Sequence, residues 1–316
     1  MNGNSPSTPT ARLRVVTSRW LAVVMLLAVI LAARPVFGLG TPALPDQLSA
    51  NVVSRTNGIA DINADTREVS DWQYSVYKGA DLALLTNAVW STNFWLRGVQ
   101  GLSATCIGYS NCMGGQGLVT MVSPRHYLSA THMHMEGQLA AFLDTNNVIH
   151  WRRTLQRVDV GNDTTVGILN ADLPPSVGYL PVLPGDYTNQ LPAAGSGYVQ
   201  GLGMNQGLQI FGEPMNFAFP PMITWNSSRT APGGLTTNWN MALHGGDSSN
   251  PALLLVGNQL VLVSHNYFAN GGPNYALQIE AINREMHYLS TNNQAGSDYQ
   301  LTLFPLTNWP AIRAVH

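Results

Sequence analysis

Charge is scarce in this chain. Asp, Glu, Lys and Arg make up 10% of its 316 residues, against roughly 25% in an average globular chain, and Lys78 is the single lysine. So thin a scatter of positive charge excludes the basic stripe that neutralises phosphates, and no nucleic-acid partner is expected. Cysteine is nearly absent too, with Cys106 and Cys112 the two in the chain. Two thiolates fall short of the roughly four ligands of a structural zinc centre. What "CIGYSNC" offers instead is one small-loop disulfide, suited to an oxidising compartment. No repeat of fixed period and no low-complexity tract occurs.

Long apolar runs are missing as well. The longest, "WLAVVMLLAVILAA" at 20–33, is shorter than the roughly 20 residues of a spanning helix. Arg12, Arg14 and Arg19 precede it and small residues follow, so 1–38 reads as a secretory signal peptide cut after Gly38. An uncleaved anchor is the competing reading of the same run. Export makes the mature protein secreted or periplasmic, with no membrane association after the segment is lost. Four arginines and no acid leave with it, which moves the formal net charge from −2 to −6.

What is there is a succession of short apolar stretches between turn residues, the mark of an all-β domain. Residues 39–87 are polar and mixed: "ALPDQLSANVVSRTNG" reads as an extended lead-in or propeptide, and "DWQYSVYKGADLALLTNAV" could contain a helix. Strands are expected at 93–99, 117–122, 138–143, 148–153, 154–160, 165–170, 196–203 and 208–213. A hairpin is expected over 252–264, around Gly257-Asn258-Gln259, and another turn at "DTNN", 144–147. The proline-rich 174–195 would cross between two β halves. Ile282, Met286 and Leu289 recur at helical spacing, giving one amphipathic helix over about 281–290. A last strand is expected within 299–306.

Three short segments carry chemistry. "VSPRHYLSATHMH", 122–134, puts His132 after an apolar stretch and three small residues, Ser129, Ala130 and Thr131. "NDTTVGIL", 162–169, puts Asp163 at the head of an apolar strand; Asp159 competes but lacks that context. "GGDSSNP", 245–251, supplies Gly246, Asp247 and Ser248. Serine is a weak nucleophile without a neighbouring base, and an imidazole oriented by a buried acid is suited to that task.

Together these segments resemble the trypsin-like serine proteases, over roughly 93–290. The order His132, Asp163, Ser248, with spacings of 31 and 85 residues, is the chymotrypsin order. The resemblance implies a mostly β fold of two six-stranded antiparallel barrels with a short C-terminal helix, within a domain at 88–306. The first barrel would cover about 93–180 and the second about 196–280. It further implies His132 as general base, Asp163 as orienting acid and Ser248 as nucleophile. The backbone N–H groups of Gly246 and Ser248 would form the oxyanion hole. Peptide or protein is the implied substrate, and the mechanism calls for no cofactor and no metal.

The chain also departs from that family. Ser249 and Asn250 replace two glycines after the nucleophile; both are small, and Asn tolerates a left-handed backbone. No activating N-terminus is evident for Asp247, and Met133 stands where a cysteine usually follows the histidine. Ala242, six residues before Ser248, would sit in the specificity pocket and excludes a trypsin-like preference for Lys or Arg. "LVLVSHNYF" resembles the strand that pairs with substrate, which implies Ser264, His265 and Asn266 along the cleft. Three other readings compete: a His132/His134 metal pair, a GDS-type lipase, and a protein of the same fold that binds without cutting.

Overall fold

The computed structural model describes residues 42–59, 77–78, 88–91, 94–110, 117–191, 197–217, 220–267 and 270–309. The chain divides after residue 41, and every described residue lies in the second unit, 42–316. Residues 1–38, where a signal peptide is expected, therefore fall outside the described residues.

The domain is two six-stranded antiparallel half-barrel sheets and a C-terminal helix, the architecture expected of a trypsin-like chain. The first sheet is built from β3 (Gly108–Tyr109), β4 (Thr120–Met121), β5 (His126–Ala130), β6 (Leu139–Leu143), β7 (Ile149–Gly161) and β8 (Thr164–Leu169). Its spatial order is β3-β6-β7-β8-β5-β4. The second comprises β9 (Val199–Met204), β10 (Ile210–Asn216), β11 (Met222–Trp225), β12 (Pro251–Val256), β13 (Gln259–His265) and β14 (Gly271–Pro273). Its order is β13-β12-β9-β10-β11-β14. A separate pair, β1 (Tyr77–Lys78) with β2 (Val89–Trp90), completes the strands among the described residues. β5, β8, β9 and β12 are buried along their whole length. They read as continuous apolar or small-residue runs because both of their faces are covered.

Two segments fold differently from their sequence pattern. The stretch read as an extended lead-in contains a helix, α1 (Leu44–Thr56), with Pro45 in its first turn. Leu44, Leu48, Val52 and Thr56 recur every four residues and are buried, a stripe that the polar residues between them dilute. Ser49 Oγ donates to Pro232 O (2.7 Å) and Asn51 Nδ2 to Leu255 O (3.1 Å), which seats α1 on the second half. Within 93–99, residues 95–98 form a turn rather than a strand, with Gly98 at φ 82°.

Two expected strands, 148–153 and 154–160, are one. β7 runs through both, pairing with β6 along its first half and β8 along its second. Register shifts at Thr154/Gln156 and Asp159/Gly161 let a single strand serve both neighbours. The last segment makes one isolated bridge, Val182 with Leu303, instead of a strand. The late helix, α2 (Ile279–Asn292), buries Ile282, Met286 and Leu289 as their spacing requires. The expected disulfide is a correction. Cys106 is a free, fully buried thiol whose Sγ accepts the Val119 N–H, and burial pushes it up to about 11. Cys112 lies outside the described residues.

Candidate active site

Register alone brings the first two residues together. β5 pairs with β8 so that Ala130 faces Thr164. His132, two residues past Ala130, then meets Asp163, one residue before Thr164. Asn162 and Asp163 form the two-residue turn of the β7–β8 hairpin, both left-handed at φ 52° and 59°. This is the primed geometry that matches strand twist, and Asn and Asp are among the few residues that tolerate it.

At that tip the carboxylate is surrounded by donors. His132 Nδ1 lies 3.0 Å from Oδ1 and 2.8 Å from Oδ2, and the His132 backbone N–H donates to Oδ1 at 3.1 Å. Thr131 N–H donates to the Asp163 carbonyl at 2.8 Å. The His132 side chain is 41% exposed and that of Asp163 10%. Burial pushes the Asp163 carboxyl upward, but the neighbouring His265 and His132 outweigh it and hold the group below its ordinary value. A proton kept on Nδ1 by this anion leaves Nε2 free as a base. Asp159 instead accepts from Thr131 Oγ1 and the Gly161 N–H.

The serine loop is tied to the same place. Ser249 Oγ accepts the Ala130 N–H at 2.9 Å, and Asn250 Oδ1 accepts the Leu118 N–H at 3.3 Å, two links from the second half to the first. Ser249 N–H donates to Asn266 O, and Asn266 N–H to Asn250 O, closing the loop against the end of β13. Ser248 thus stands, half-buried, one residue from an atom bonded to the strand that delivers His132. Among the described residues its hydroxyl makes no hydrogen bond; contacts of this kind often tighten only when substrate is present. Gly246 adopts φ 103°, a conformation open chiefly to glycine. The left-handed position after Ser248 belongs to Ser249, at φ 75°, and not to Asn250. Its Oγ and N–H bonds offset the strain that a glycine would avoid.

Asp247 finds its partners in the main chain. Buried to 2% exposure, it accepts the Gln206 N–H and the His244 N–H, both at 2.7 Å. Beside the loop, Glu213, Trp225, Ser227, Met241, Ala242, Leu243 and Asn270 line a cavity of about 90 Å³. Ala242 is exposed there. Burial, helped by the charge of Asp247, raises the Glu213 carboxyl well above its usual range.

Three residues expected along the cleft are interior. Ser264, His265 and Asn266 are 0%, 1% and 2% exposed, because β13 stays covered until it leaves the sheet. Tyr267, next in the chain, is 43% exposed, with its ring 6.0 Å from that of His132. The sequence reading missed Tyr267, although it lies one position beyond the trio. The His132/His134 pair is split: His134 Nδ1 meets the Arg157 guanidinium, while His132 is held by Asp163. His126 lies inside the first half, between Ser123 Oγ and Ser290 Oγ, and burial lowers it from 6.5 to about 4.

No family model matches the chain, and no curated protein does. A solved structure described as kallikrein-related peptidase 10 in complex with Zn2+ is similar at 14% identity, with a TM-score of 0.37. The match covers 55% of this chain and 90% of that one.

Proposed function

We propose that the protein is an exported serine hydrolase that cleaves peptide bonds, with residues 1–38 removed on export. The observation that carries this reading is the hydrogen-bonded His132–Asp163 pair beside a serine loop tied to the same strand through Ser249 and Ala130. In this mechanism His132 Nε2 takes the proton of Ser248 as its Oγ attacks the substrate carbonyl. The oxyanion forms beside the N–H groups of Gly246 and Ser248, donors each worth about 3 kcal/mol in such sites. His132 then protonates the departing amine, and a water molecule, deprotonated by the same ring, releases the acyl group.

The cavity beside Ala242 supports a small, uncharged side chain on the acyl side of the cut bond. A volume of about 90 Å³ is that of about three water molecules, and burial disfavours the charged form of Glu213 that would attract Lys or Arg. A fluorophosphonate probe is expected to label protein lacking residues 1–38, and Ser248→Ala to abolish labelling. The unbonded Ser248 hydroxyl favours one rival, a protein of this fold that binds peptides without cutting them. Folded wild-type protein that resists the probe would decide for that rival.

A further inference from the structure

Behind Asp163, away from solvent, stands a second histidine. His265 is 1% exposed, and its Nε2 lies 3.7 Å from Asp163 Oδ2, the oxygen that also receives His132 Nδ1 at 2.8 Å. Its other nitrogen, Nδ1, is hydrogen-bonded to the hydroxyl of Tyr275, itself 1% exposed. Tyr275, His265, Asp163 and His132 therefore form one line from the interior to the solvent-facing ring.

Protonation along this line follows from elementary donor and acceptor rules. Burial raises the Tyr275 phenol well above its usual range, with a further push from Asp163, so it keeps its proton. Burial lowers His265 against the upward pull of Asp163, so the ring is neutral and carries one N–H. If that hydrogen sat on Nδ1, a lone pair on Nε2 would face a carboxylate in a dry interior. With the tyrosine donating to Nδ1, the hydrogen sits on Nε2 and faces the anion. Among the described residues, Nε2 has no hydrogen-bond partner, and Asp163 lies within ion-pair range of it. A buried donor left without an acceptor costs about 1–3 kcal/mol, and the carboxylate, 3.7 Å away, is the anion toward which this N–H is drawn. The titratable groups facing His265 are Tyr275, Asp163 and, beyond the carboxylate, His132.

His126 shows what a packing histidine looks like in the same molecule. It is fully buried, but both of its nitrogens meet serine hydroxyls rather than a carboxylate.

We propose that His265 is a positioning residue for the Asp163–His132 pair, its tautomer set by Tyr275 and its Nε2–H shared with the carboxylate that orients His132. Register puts it there: Pro251, three residues after Ser248, pairs with His265, so one strand end serves the acid and the serine loop together. By drawing on the carboxylate, His265 limits how strongly Asp163 can stabilise a proton on His132.

Its consequences for reactivity rest on the hydrolase reading above, but the test also has a readout that does not. The ring signals of His132 are titrated by NMR in wild type, His265→Phe, His265→Gln and Tyr275→Phe. With the shared donor removed, His265→Phe is expected to raise the His132 midpoint by about one pH unit. Tyr275→Phe should raise it by less, and His265→Gln, whose amide N–H can replace Nε2–H, should stay near wild type. Turnover should follow, with kcat down about ten- to a hundredfold in His265→Phe, as for other groups that orient a catalytic ligand, and KM unchanged. A His132 midpoint unmoved in His265→Phe would overturn the proposal. If that variant does not fold, nitrogen shifts of wild-type His265 decide: a hydrogen on Nε2 sustains the proposal and one on Nδ1 ends it. Wild-type protein that titrates as expected but resists the fluorophosphonate would sink the hydrolase reading and leave the positioning role standing.

Discussion

Asp163 in the first half and Glu213 in the second are carboxyl groups with little access to water, yet their protons go opposite ways. Asp163 is held below its ordinary value although burial pushes it up, whereas Glu213 is raised well above. The difference lies in where each stands on its sheet. Asp163 occupies a hairpin tip, where the backbone N–H and the imidazole of His132 reach its carboxylate and His265 stands within ion-pair range. Glu213 sits within β10, where neighbouring N–H groups are committed to the ladder with β9, and its Oε2 has no partner among the described residues. Asp247, in the second half but placed in a turn, likewise receives two main-chain N–H groups. A buried acid can remain an anion where the backbone turns, and is pressed toward neutrality where the backbone is straight.

The strongest way to sharpen this comparison is Asp163→Asn. Asparagine keeps the left-handed turn but removes the anion, so turnover should fall by about 10⁴-fold while the thermal midpoint changes little. A loss below tenfold would mean that the carboxylate does not orient His132. Next comes Asp247→Ala, which strips the acceptor from two main-chain donors. Hydrogen bonds to a buried charge contribute about 1.5–3 kcal/mol each, so urea unfolding should show a loss of roughly 3 kcal/mol. An unchanged midpoint would put the order of the loop elsewhere.

His126 extends the contrast to a base. Its value in the fold, about 4, lies below the unfolded 6.5. Both states are neutral above 6.5; below it the unfolded chain takes up the proton first, so stability falls between pH 6.5 and 4. Across that window the group should account for about 3 kcal/mol, read as the difference between wild type and His126→Gln in urea titrations at pH 7 and 4. Parallel losses in the two proteins would remove His126 from the acid response. The smallest effect is expected for Glu213→Gln. Burial holds the Glu213 carboxyl well above the 4.5 at which the unfolded chain ionises, so folding is penalised as pH rises past that value. The variant's thermal midpoint should therefore gain on wild type from pH 4 to pH 8. A gain that stays constant with pH would show that Glu213 is ionised in the fold.

Chain order and local pattern were enough for β4, β6, β8, β9, β10, the β12–β13 hairpin and the late helix, and for the segments bearing His132, Asp163 and Ser248. By contrast β3, β11 and β14, two to four residues each, are too short to carry a pattern. Alternation and turn residues are local, and an apolar strand leading into a polar tip announces itself in a few letters. The helix α1 was hidden because its stripe recurs at every fourth residue among polar neighbours, and its packing surface lies some 200 residues away in sequence, around Leu255. The length of β7 was hidden because register shifts leave no mark in composition.

Composition and motif order by themselves determined a charge-poor, mostly β chain that carries His132, Asp163 and Ser248 in a recognisable succession. Tertiary structure alone decided that Ser249 rather than Asn250 takes the left-handed position and that Asp247 is satisfied by main-chain amides. It also decided that His265 turns inward to Asp163 rather than outward to a cleft. The physical reason is common to all three: each depends on which donors and acceptors meet across strands far apart in the chain, and hydrogen-bond pairing at that range is set by register.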